Sequence, residues 1–180
     1  MPRRATRALE EVLLEEPDHD GALRALAALY EEQARYADAA ALWQRLGKAR
    51  DDDTRTREHH LLIAAAQAAI TAGDHDGAKA ALRAAQKHGE SPHYMAASAE
   101  LAAARGNPGG AKEQLLRALV AEPGLARELV PLLAGAERAL APADSDAQID
   151  AVVLADLAEV QALTGPTLPI LLARAELARD

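Results

Sequence analysis

A chain of 180 residues that is 49% apolar is long enough to bury a core, yet it contains no phenylalanine and no cysteine. Alanine and leucine dominate where strands would want β-branched and aromatic side chains, so the composition predicts an all-α protein. The missing thiols exclude disulfides, thiolate zinc sites and cysteine nucleophiles, and a formal net charge of -8 without any basic run excludes a general nucleic-acid binder.

Helical periodicity runs through nearly the whole chain, broken by Gly, Pro and Asp clusters. It predicts helices over 3–16, 20–33, 36–49, 54–72, 75–88, 92–104, 108–121, 124–139, 145–163 and 167–178. The polar run Asp51-Asp52-Asp53-Thr54-Arg55 reads as a lengthened loop ahead of the fourth. Gly73 and Gly106 fall where hairpins turn, at helix ends that favour a left-handed residue. Pro131 should kink the eighth helix or mark its late start. Ala141-Pro142-Ala143-Asp144-Ser145 is a break with Asp144 or Ser145 as N-cap. Gly165-Pro166 ends the ninth helix, and Pro169 suits the first turn of the last. Met1-Pro2-Arg3-Arg4 leads into amphipathic sequence with no apolar stretch of roughly 18 residues. No direct membrane insertion is therefore expected, and the cytoplasm is the expected location, with membrane association only through a partner or a missing segment.

Aligning the small residues reveals an internal repeat. Ala5-Leu9-Val12-Pro17 recurs as Ala39-Trp43-Leu46, as Ala78-Leu82-Ala85 and as Ala111-Leu115-Ala118-Pro123, at offsets of 34, 39 and 33 residues. Ahead of these stand Leu26-Ala27 with Tyr30, Ala65-Ala66 with Ala69, and Ser98-Ala99 with Ala102. Period and residue sizes resemble the tetratricopeptide (TPR) repeat, whose hairpins recur about every 34 residues. The expectation is a right-handed α-solenoid of TPR-like helical hairpins, about ten helices in all. Residues 1–123 would hold an orphan helix 3–16 and hairpins 20–49, 54–88 and 92–121, and 124–180 would form a degenerate repeat with capping helices. An orphan first helix leaves Leu9 and Leu13 uncovered on one side, so a longer chain, a partner or a second copy pairing through this N-terminal edge should cover them.

No chemistry is legible. Asp18-His19-Asp20 and Asp74-His75-Asp76 are the same tripeptide, but they occupy different repeat positions and suit turns and helix starts. His59 and His60 point about 100° apart on a helix, a poor geometry for a shared metal. Gly106-Asn107-Pro108-Gly109-Gly110 lacks both the preceding strand and the Lys-Ser/Thr pair of a P-loop. Ser91, Ser98 and Ser145 sit in no nucleophile elbow, and Glu10-Glu11 and Glu15-Glu16 read as solvated faces. The sequence therefore predicts no enzyme, no cofactor and no metal. It predicts a surface for a protein or peptide partner on the concave side, lined by Arg24, Glu31, Glu32, His60, Gln67, Thr71, His93 and Glu100.

The stretch from about Leu26 to Leu133 also resembles the TPR domain of the lipopolysaccharide assembly protein B (LapB, YciM) family. The residues that carry this are Ala28-Leu29-Tyr30 through Tyr36-Ala37-Asp38-Ala39-Ala40, the long helix from Thr56-Arg57-Glu58-His59-His60-Leu61, and Gly73 to Leu82. Gly106 to Leu116, Glu128-Leu129-Val130 and Leu154-Ala155-Asp156-Leu157 follow in the same order. The resemblance implies an envelope protein that works with the membrane protease FtsH to set the level of a lipid A deacetylase. That family carries a membrane helix and a rubredoxin-like metal domain, neither of which is legible here, so an excised repeat region or a smaller relative is expected. A second function class fits the same fold: a soluble chaperone or assembly adaptor for a secretion, pilus or motility system. Gene neighbourhood separates the two.

Overall fold

A computed structural model describes residues 2–46 and 52–178. The described residues form ten α-helices and no strand: α1 (Pro2–Glu15), α2 (Asp20–Glu32), α3 (Tyr36–Arg45), α4 (Asp52–Thr71), α5 (His75–Gln86), α6 (Pro92–Ala104), α7 (Pro108–Ala121), α8 (Ala126–Leu140), α9 (Asp146–Thr164) and α10 (Leu168–Leu177). The protein is all-α. No helix among the described residues is long and apolar enough to cross a membrane.

Local chemistry sets the boundaries. The His19 Nδ1 accepts the Ala22 N–H at the start of α2, Asp74 accepts the Gly77 N–H on α5, and Asn107 accepts the Gly110 N–H on α7. Both histidine-containing tripeptides thus supply helix caps. Ser145 forms a capping box with Gln148, each satisfying a backbone N–H that the first turn leaves open. Pro92, Pro108 and Pro169 stand in first turns, where a missing N–H costs nothing. Pro131 lies inside α8, which begins five residues ahead of it after a 3-10 turn over Pro123–Leu125 and continues through it.

The expected loop ahead of the fourth helix is corrected. Asp52, Asp53, Thr54 and Arg55 are the first turn of α4 and not a loop. Carboxylates at a helix start meet the positive end of its dipole, and Thr54 is buried. The remainder of that expected loop, and the expected end of the third helix at 49, lie outside the described residues.

The chain forms two compact units, Met1–Gly89 and Glu90–Asp180. In the first, α2 packs on α3 and α4 on α5, with α1 against α2. Leu13, Leu23, Leu26, Leu42, Trp43, Leu46 and Leu61 meet there in a core completed by alanines. In the second, α6 packs on α7, and both share a core with α8, α9 and α10 built on Leu115, Leu119, Leu133, Ile149, Val153, Leu157 and Ile170. Each such leucine removed from water contributes about 1.5–3 kcal/mol.

The repeat read from the sequence has a packing meaning. Ala39, Ala78 and Ala111 are fully or almost fully buried, and so are the small residues of the preceding helices, Ala27, Ala66 and Ala99. Ala5 is exposed instead. The expectation that Leu9 and Leu13 are uncovered is corrected: α2 packs over them, so Leu13 is buried and Leu9 half-buried, and the uncovered apolar side chains of α1 are Val12 and Leu14, 39% and 82% exposed. Five residues ahead of each buried alanine the chain turns through a positive φ, at Ala34 (56°), Gly73 (77°) and Gly106 (73°). Three hairpins share one turn, and the first makes it without glycine.

Candidate functional site

Six of the eight residues expected to face a partner belong to the first unit, and His93 and Glu100 belong to the second. Arg24, Glu32, His60, Gln67, Thr71 and His93 are exposed, while Glu31 and Glu100 are half-buried.

Arg24 and Glu31 come together around Trp43. Glu31 Oε1 accepts the indole N–H at 3.0 Å, and Arg57 donates to both carboxylate oxygens, at 3.1 Å to Oε1 and 2.8 Å to Oε2. The Arg24 and Arg57 guanidinium carbons lie 5.5 Å and 5.1 Å from the Trp43 ring centre, within cation–π range. Burial alone would raise the Glu31 carboxyl, but the Arg57 guanidinium and the Trp43 N–H together hold it below its ordinary value. Glu31 therefore ties α2 to α3 and α4, and both its oxygens are engaged inside the protein. Sequence reading missed Arg57, although it stands three residues before His60 on one face of α4.

A second cluster was not legible. Glu58 is only 2% exposed, with His88 Nε2 3.4 Å from its Oε1. His59 Nδ1 lies 3.0 Å from the Ala85 carbonyl oxygen, which can only accept, so that nitrogen carries the proton. The His59 and His88 rings are 6.0 Å apart. Glu58 and His88 line a cavity of about 310 Å³ walled by alanines of α3, α4 and α5.

In the second unit α6, α7 and α8 enclose a cleft of about 350 Å³. Its walls are small or apolar: Ala99 and Ala103 from α6, Ala111 from α7, Gly135 and Ala136 from α8. Glu100 is the one expected partner-facing residue that lines it, and Leu132, 40% exposed, stands at its edge. Such a cleft can take an apolar side chain close to the helix backbones. It offers no reacting group beyond that carboxylate, and among the described residues no three His, Asp or Glu are grouped to hold a metal ion.

No protein-family model and no curated protein sequence matches this chain.

Helices α7, α8 and α9 share an ion cluster whose lysine is half-buried. The Lys112 ammonium on α7 is 2.6 Å from Glu137 Oε1 on α8 and 3.0 Å from Asp156 Oδ2 on α9. Both carboxylates are buried, and among the described residues neither of these two oxygens has another hydrogen-bond partner. Burial alone would lower the lysine, but Glu137 and Asp156 outweigh it and raise the ammonium above its ordinary value.

Proposed function

We propose that this chain is a protein-interaction scaffold of TPR-like hairpins that holds a partner segment in the cleft between α6, α7 and α8. The observation that carries this reading is the cleft itself, an alanine- and glycine-walled space of about 350 Å³ with Glu100 and Leu132 at hand. Small walls admit large apolar side chains of a partner, and Glu100 places a carboxylate on the wall beside them. The buried alanines recurring at the repeat spacing, and the shared positive-φ turn, support the TPR-like part of the reading.

The finer part is a LapB-like role in regulating lipopolysaccharide synthesis. Support for it is the residue pattern from Leu26 to Leu133 and the long helix α4 between shorter ones. The N-terminal edge is the second contact surface in this proposal, with a second copy of the chain covering Val12 and Leu14. A strictly monomeric species in light scattering at high protein concentration overturns that part.

The test of the main reading is partner capture by the tagged chain from its native cells, with the bound proteins identified by mass spectrometry. Glu100→Lys and Leu132→Arg should abolish recovery of a partner that the wild type and Arg83→Glu both retain, with helicity unchanged in all three variants. Equal recovery by the cleft variants overturns the proposal. Glu31 is unsuited to this test because its reversal would break the Trp43 cluster.

A further inference from the structure

A second cleft, of about 530 Å³, opens between α7 and α9 over Met95. On α7 it is lined by Glu113, Leu116 and Val120, and on α9 by Asp156, Glu159 and Leu163. Each set follows the i, i+3, i+7 stripe of one helix face over two turns, about 10 Å of rise. Leu163 is 74% exposed and Val120 38%, so the apolar wall is open to water.

Its charge is one-sided. Asp156 is buried and shares the single Lys112 ammonium with Glu137. Glu113 and Glu159 are exposed and make no ion pair among the described residues. Among the described residues that line it the one cation, Arg117, is 2.8 Å from Glu90, which neutralises it. An apolar trough bordered by unneutralised carboxylates is complementary to a helix with leucine-like residues on one face and lysine or arginine beside them.

We propose that the α7–α9 cleft binds a basic amphipathic helix of a protein partner. This goes beyond the cleft of the proposed function and fails separately from it. At 100° per residue, Ala111 and Leu115 face that cleft while Glu113, Leu116 and Val120 face roughly the opposite way.

The experiment uses the full chain and a fluorescein-labelled model helix of sequence LKKLLKLLKKLLKL, followed by anisotropy. The same peptide with glutamate for every lysine is the control. Saturable binding of the basic peptide only is expected. Leu163→Glu removes an exposed wall residue, so folding is not at stake, and adds a negative charge. Docking in the cleft predicts about a tenfold or greater loss of affinity, whereas diffuse attraction to an acidic protein predicts equal or tighter binding. The pair Glu113→Lys with Glu159→Lys should also lose about tenfold, and Glu128→Lys on α8, outside the cleft, less than about twofold. Undiminished binding by Leu163→Glu, or equal binding of the glutamate peptide, overturns the proposal.

Discussion

The Lys112 ammonium sits 2.6 Å from the Glu137 carboxylate and, among the described residues, is the one cation paired with both buried acids of the second unit. This shared lysine joins α7, α8 and α9. Removing it leaves two carboxylates without a counter-charge, and breaking a buried pair costs about 3–5 kcal/mol. Lys112→Met should therefore lower the urea midpoint strongly. Replacing all three groups, as Lys112→Met with Glu137→Leu and Asp156→Leu, should recover most of that loss. Failure of the triple variant to recover would mean that the network does more than neutralise its own charge.

Glu31 carries a pH prediction. Its folded pKa is lowered, so its contribution is fully present above the unfolded value of about 4.3 and is lost as pH falls through the folded one. The thermal midpoint of Glu31→Gln should lie below wild type at neutral pH, and the gap should close in acid below about pH 4. Lys112 has the opposite sense. Its raised pKa makes its contribution present below about 10.4 and lost as pH rises further, so the deficit of Lys112→Met should shrink in strong alkali.

The recurrent small residues are tested by enlarging them. Ala39→Leu and Ala78→Leu should each cost about 1–3 kcal/mol, because the added carbons must displace packed neighbours of a buried methyl group, and Ala111→Leu, which borders the α6–α7–α8 cleft, should cost less. Ala5→Leu, at the matching position of α1, is exposed and should change stability by less than about 0.5 kcal/mol. Equal effects at all four positions in denaturant titrations would contradict the packing account.

Ala34 turns through the same positive φ as Gly73 and Gly106 but has a Cβ. A left-handed non-glycine residue costs about 1–2 kcal/mol, part of which glycine returns as unfolded-state entropy. Ala34→Gly should therefore stabilise the protein by about 0.5–1 kcal/mol, while Gly73→Ala and Gly106→Ala destabilise it by about 1 kcal/mol. Calorimetric midpoints of the three variants check both signs.

How far the sequence could be read depends on whether the signal was local. Pro92, Pro108, Asp74 and Ser145 announce helix starts within a turn of themselves, so the ten helices were legible almost residue by residue. Asp52 is ambiguous in sequence, because acidic residues suit both a loop and a first helical turn. The string Arg57-Glu58-His59-His60 looks like a solvated face. Two of its members are nevertheless buried, because the end of α5 brings Ala85 and His88 over them. Lys112 reads equally well as surface, and only the return of α8 and α9 places Glu137 and Asp156 around it. Of the expected partner-facing residues, Glu31 has its oxygens engaged internally and Glu100 lines a cleft.

The most direct test of the scaffold reading is photo-crosslinking in the native cells from a reactive residue at Leu132, at the edge of the α6–α7–α8 cleft, compared with one at Arg83 on α5. The account predicts a discrete adduct from position 132 that disappears when Glu100→Lys is added, and none of that mass from position 83. An adduct from position 132 that survives Glu100→Lys, or the same adduct from both positions, would contradict it.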